Sequence, residues 1–126
     1  MKLYHTMIRV KDLDETLAFY TGFLGLKEVR RGQIGDEATL VFLTDEAGAY
    51  HLELTYNHDG RSYDVGTGYG HVAIGVDDLD STLAALQADH GIEPARPPYQ
   101  VREGGSRICF VRDPDDYRIE LIERGS

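Results

Sequence analysis

Cysteine occurs once in the 126-residue chain, as Cys109, and tryptophan not at all. A single thiol cannot close an intramolecular disulfide, and without a cysteine pair there is no thiolate zinc site, so the composition suits a reducing compartment. Positive charge is scarce too: 13 Lys and Arg stand against 22 Asp and Glu, a formal net charge of −9. A surface of that sign repels nucleic acid and anionic membranes at long range, so neither is expected as a partner. Nowhere does an apolar run approach the roughly 18–20 residues of a membrane-spanning helix. The opening stretch, MKLYHTMIRVKDLD, reaches charge too early for a secretory signal. These absences predict a soluble, cytoplasmic protein. Its 126 residues allow one compact domain or two very small modules.

What the chain does contain is a repeat. Shifting it by 66 positions lays His5–Ala18 on His71–Ala84 with nine identities in 14 pairs, among them His5/His71, Val10/Val76, Asp12/Asp78 and Thr16/Thr82. A second match, offset by 67, sets Tyr50–Leu54 on Tyr117–Leu121 and so places Glu53 on Glu120. Two copies point to a pseudo-twofold pair of modules, about 1–60 and 68–126, within one domain spanning 1–126; a solenoid needs three or more units. The glycine-rich stretch from Gly60 to Gly70 is the natural linker.

Within each copy the apolar period changes from two to 3.6 and back. Residues 5–10 and 71–76 alternate as strands. Asp12 and Asp78 then offer carboxylates to the first unpaired amides of a helix, whose apolar stripes are Leu13, Leu17 and Tyr20, and Leu79, Leu83 and Leu86. Those helices are expected to stop near Gly22–Gly25 and Gly91. Further strands are expected at 27–32, 38–44 and 49–56, and at 100–103, 107–112 and 117–123. The predicted class is α+β, with two tandem βαβββ modules whose curved sheets form an open barrel. Each module is about half the usual minimum core size, so pairing with the other module or with a second chain is expected.

Strand parity sorts the side chains. Ile8, Val10, Leu52, Leu54, Val72, Ile74, Ile119 and Leu121 share the face that packs under the helices. Met7 and Arg9 fall on the face of His5; His51, Thr55 and Asn57 fall on that of Glu53. A lone strand histidine is ordinarily a hydrogen-bonded or exposed residue, and a lone strand glutamate a solvated one. Here a His and a Glu recur at duplicated positions on the face without aliphatic residues, which a solvated face does not require. His5, Glu53, His71 and Glu120 are therefore candidate metal ligands, and an N/O set without thiolate suits a divalent ion such as Ni²⁺, Co²⁺, Zn²⁺, Fe²⁺ or Mn²⁺. His51, His58 and His90 lack repeat partners and read as a lining residue, a loop residue and a helix-terminal cation.

These residues lie in segments that resemble glyoxalase I, the lactoylglutathione lyase of the vicinal oxygen chelate superfamily, in its short bacterial form. The matching pieces are LYHTMIRVKDLDETLAFYTGFLGL at the amino end, LELTYN at 52–57, YGHVAIGVDDLD at 69–80 and FVRDPDDYRIELIE at 110–123. The resemblance implies that His5, Glu53, His71 and Glu120 hold one divalent metal per site, with Ni²⁺ or Co²⁺ favoured and Zn²⁺ an alternative. It implies a homodimer in which one subunit supplies the first pair and its partner the second. Arg9 and Asn57 match positions that grip the γ-glutamyl carboxylate of glutathione; Arg96 lies near a basic position that meets the glycyl carboxylate.

The implied reaction is isomerisation of the methylglyoxal–glutathione hemithioacetal to S-D-lactoylglutathione through a metal-stabilised enediolate. Glu120 is then the principal base and Glu53 its pseudosymmetric counterpart. One departure is Asp116, where the family's DPDG turn carries glycine. Two alternatives lie in the same superfamily: a metal-dependent enzyme acting on another substrate, and a metal-free drug-binding resistance module. The −9 charge would suit the latter, but two repeated His–Glu pairs would not be needed there.

Overall fold

The computed structural model describes residues 1–124. The chain divides into two compact units, Met1–Asp64 and Val65–Ser126, with the boundary inside the glycine-rich stretch. In the first unit the elements are β1 (His5–Arg9), α1 (Leu13–Leu17) with a π-helical extension (Ala18–Phe23), β2 (Lys27–Ile34), β3 (Ala38–Thr44) and β4 (His51–Asn57). The second has β5 (His71–Val76), α2 (Leu79–His90), β6 (Tyr99–Gln100), β7 (Arg107–Arg112) and β8 (Arg118–Glu123). Each unit forms an open four-stranded sheet, ordered β1-β4-β3-β2 and β5-β8-β7-β6. In both, the first strand runs parallel to the last and the other pairs are antiparallel. The fold is α+β, as the changing period predicts. Among the described residues no helix is long and apolar enough to cross a membrane.

The βα turns repeat in detail. Asp12 accepts the Glu15 amide at 3.1 Å and Asp78 the Ser81 amide at 3.0 Å, from nearly identical backbone angles. Satisfying an otherwise unpaired first-turn donor stabilises each helix by about 1 kcal/mol. Gly91 ends α2 in the left-handed conformation, φ 64°, its amide reaching back to Gln87 O.

The first helix keeps Tyr20 of its expected stripe in the core and ends in a wider turn. Thr21 Oγ1 donates to Leu17 O at 2.6 Å, and the Leu24 amide skips back five residues to Phe19 O. Thr16, Phe19 and Tyr20 are fully buried while Leu13 and Leu17 are only half-buried. The second stripe holds at Leu79 and Leu86, with Leu83 half-buried.

Another correction concerns the strand expected at 100–103. It is the two-residue β6, because the chain turns back at Arg102–Gly105, where the Gly105 amide meets Arg102 O and Gln100 Nε2 donates to Gly105 O at 2.7 Å. The cores lie on the helix-facing side of each sheet. The buried apolar residues are Ile8, Val10, Val41, Leu43 and Leu54 with Phe19 and Tyr20 in the first unit, and Cys109, Val111, Ile119 and Leu121 with Leu79 and Leu86 in the second. Val72 and Ile74, on the outer strand of the second sheet, are only half-buried.

Candidate metal centre

The sheet face opposite each core carries the polar residues, and register brings them together. In the first unit Met7 and Phe42 flank Glu53 as its cross-strand partners, with His5 two positions before Met7. In the second, Ala73 and Phe110 flank Glu120 in the same manner, with His71 two positions before Ala73. His5 Nε2 lies 3.1 Å from Glu53 Oε1, and His71 Nε2 lies 3.1 Å from Glu120 Oε1. The imidazoles are more open than the carboxylates: side-chain exposure is 39% and 36% for the histidines against 11% and 17% for the glutamates.

This geometry suits a divalent ion. Bonds of about 2.0–2.2 Å to nitrogen and oxygen put neighbouring ligands of an octahedral shell roughly 3 Å apart, close to the observed spacing of each pair. Each unit supplies two donors, and among the described residues no cluster of three or more His, Cys, Asp or Glu side chains is present.

Two features beside these pairs are not visible in the repeat itself. Phe42 stands edge-on to His5, ring centres 5.5 Å apart, and Phe110 stands edge-on to His71 at 5.1 Å. Over the same rings lie guanidinium groups, Arg30 at 4.0 Å from the Phe42 centre and Arg118 at 4.3 Å from that of Phe110. The phenylalanines are offset by 68 positions, one beyond the glutamates, so they escape a search at fixed offset; pairing the hairpin strands with the glutamates would have exposed them. The other feature is Thr55, whose Oγ1 donates to Glu53 Oε2 at 2.8 Å.

Arg9 and Asn57 fall on the strand faces where parity placed them. Arg9 shares the face of His5 and is the cross-strand partner of Thr55. Asn57 lies two positions further along β4, with Nδ2 donating to the Tyr63 hydroxyl at 2.7 Å. Arg96 is in the second unit, its guanidinium 3.6 Å from the Tyr99 ring centre. It lines a cavity of about 600 Å³ together with Glu93, Tyr99, Phe110, Arg112 and Arg118, so three arginines and one glutamate line it in a chain of net negative charge. A cavity of about 500 Å³ in the first unit is lined by Tyr4, His5, Val29, Arg30, Phe42 and His51, which makes His51 a lining residue.

Two other residues are structural. The His58 ring bonds Thr39 Oγ1 and Asp36 O, at 2.8 and 2.9 Å, and so ties two strand ends together. Cys109 is buried, which pushes its thiol pKa up and keeps it protonated, and its Sγ donates to Arg96 O at 3.4 Å.

Residues 2–121 match the family model described as the Glyoxalase/Bleomycin resistance protein/Dioxygenase superfamily. The chain is 44% identical to a lactoylglutathione lyase of Haemophilus influenzae, over 100% of its own length and 95% of the relative's. With a putative lactoylglutathione lyase of Brassica oleracea it shares 41% identity, over 98% of itself and 45% of the relative. Among solved structures, glyoxalase I from Zea mays superposes with a TM-score of 0.86 at 38% identity, covering 99% of this chain and 45% of that one. The glyoxalase I of Leishmania major, described as trypanothione-dependent, superposes at 0.79 with 42% identity, covering 98% and 86%. The chain thus spans about half the length of these plant relatives and most of the length of the Haemophilus and Leishmania ones. It belongs to the glyoxalase/bleomycin resistance protein/dioxygenase superfamily, and within it is similar to glyoxalase I.

Proposed function

We propose that this chain is a lactoylglutathione lyase, converting the hemithioacetal of methylglyoxal and glutathione into S-D-lactoylglutathione and so detoxifying methylglyoxal. The observation that carries the reading is the duplicated His–Glu pair, spaced 3.1 Å in each unit at equivalent register beside equivalent phenylalanines. His5 and Glu53 supply one half of the ligand set, His71 and Glu120 the other, and the halves of one site come from the two subunits of a homodimer. Four N/O donors suit a divalent ion such as Ni²⁺, Co²⁺ or Zn²⁺, and the resemblance to the short bacterial form favours the first two. The ion, when bound, supplies a fixed positive charge against the negative charge that develops on two adjacent substrate oxygens.

The chain's residues do the rest. Glu120 takes the proton from the carbon bearing sulfur and returns one to the neighbouring carbon, so the reaction is a net isomerisation with no oxidant or reductant consumed. Glu53 faces the opposite side of the substrate. Phe42 and Phe110 wall the imidazoles and limit water around the transferred proton. Arg9 and Asn57 hold the γ-glutamyl carboxylate and Arg96 the glycyl carboxylate, which fixes the reacting carbon through remote charge-assisted contacts. A buried, protonated Cys109 is compatible with a cytoplasmic setting.

The test is an absorbance assay of thioester formation with methylglyoxal and several low-molecular-weight thiols, on apo protein titrated with Ni²⁺, Co²⁺ and Zn²⁺, alongside metal analysis. Metal-dependent thioester formation with glutathione is expected. Failure to bind stoichiometric metal would instead favour a drug-binding module, and turnover only with another thiol would reassign the cosubstrate.

A further inference from the structure

The two half-sites share His, Glu, Phe and Arg but part at the residue two positions beyond the glutamate. In the first unit that residue is Thr55, 6% exposed, and its hydroxyl occupies Glu53 Oε2 while Oε1 faces His5. The offset that sets Glu53 on Glu120 sets Thr55 on Ile122, which has no donor to offer. Rotation of the Glu53 carboxylate breaks a hydrogen bond between two buried residues. Rotation of Glu120 breaks no such bond.

We propose that Thr55 is a positioning residue: its hydroxyl tethers Glu53 as the fixed carboxylate of the site, and isoleucine at the equivalent position leaves Glu120 the one able to swing to and from the substrate proton. The inference rests on the metal-centre reading above and adds to it a reason why two symmetric glutamates act differently. A sheet that repeats its ligands but not this hydroxyl has made one half-site rigid and the other mobile.

Thr55→Val, which keeps shape and removes the donor, tests it against Thr55→Ser, which restores the donor. Equilibrium dialysis of Ni²⁺ should show affinity about tenfold or more weaker in the valine variant and within about threefold of wild type in the serine variant. The Michaelis constant for the hemithioacetal should stay near wild type, because the thiol peptide is held elsewhere. The reciprocal Ile122→Thr supplies a donor beside Glu120 and should lower kcat about tenfold or more with Ni²⁺ affinity unchanged or higher.

Wild-type Ni²⁺ affinity in Thr55→Val, or no recovery in Thr55→Ser, would overturn the tether while leaving the metal-centre reading intact. Absence of Ni²⁺ binding by the wild-type protein would remove both. If circular dichroism shows the valine variant unfolded, Ile122→Thr decides: an unchanged kcat overturns the proposal.

Discussion

Asp116 adopts φ 71°, the one left-handed non-glycine residue among those described. It belongs to a turn organised by the buried carboxylate of Asp113, whose Oδ1 accepts the amides of Asp115 and Tyr117 at 2.9 Å each. An L side chain in this region costs roughly 1–2 kcal/mol, less for Asp than for most. Glycine removes that cost but adds freedom to the unfolded chain. Asp116→Gly is therefore expected to stabilise the protein by about 0.5–1 kcal/mol, read as a rise in denaturation midpoint at unchanged slope.

Arg9 and Glu120 call for kinetic rather than stability measurements. In the proposed placement of glutathione, Arg9→Ala should raise the Michaelis constant about tenfold with little change in kcat, because it would remove a charged hydrogen bond worth roughly 1.5–3 kcal/mol far from the reacting carbon. Glu120→Gln should lower kcat by at least about tenfold, or 1.4 kcal/mol in barrier, in a protein whose circular dichroism is unchanged. A Michaelis constant unmoved by the first change would argue against the glutathione placement. Retention of more than about a tenth of the activity by the second would remove Glu120 as the base.

At the scale of the elements, side-chain parity was the most legible signal. Period two alone put Arg9 with His5 and Asn57 with Glu53, because alternation along a strand is a local property of the pleat. The capping aspartates were legible for the same reason: a carboxylate before an apolar stripe has only nearby amides to satisfy. What local pattern could not reach was set by longer-range pairing. The Phe42–Glu53 and Phe110–Glu120 partnerships depend on where each hairpin turns, and the two turns differ in length, so the phenylalanines slip one position against the glutamates.

The π-helical extension was hidden as well. Its sequence, AFYTGF, has helix-compatible spacing, and the wider turn accompanies burial of both Phe19 and Tyr20. Gly91, in contrast, announces itself, and Gly91→Ala is expected to destabilise by about 1 kcal/mol because Ala must adopt φ 64° there. Thermal unfolding of that variant, with α2 otherwise intact, checks it.

For the whole molecule, the proposed metal centre draws two donors from each unit, and four from protein would leave the remainder of an octahedral shell to solvent or substrate. A closed twofold dimer would join both halves at once and make two equivalent sites. In the proposed dimer each site joins the first pair of one subunit to the second pair of its partner, which has a consequence that mutation can expose. Glu53→Ala and Glu120→Ala each spoil every site in their own homodimers. In a mixed dimer of the two, one site receives both alanines and the other receives neither. Random exchange makes about half of all dimers mixed, so mixing equal amounts of the two inactive variants should restore about a quarter of wild-type activity. Recovery should follow the rate of subunit exchange and be absent when either variant is incubated alone. No recovery after exchange, verified by mixing differently sized tagged chains, would mean that each chain completes its own site.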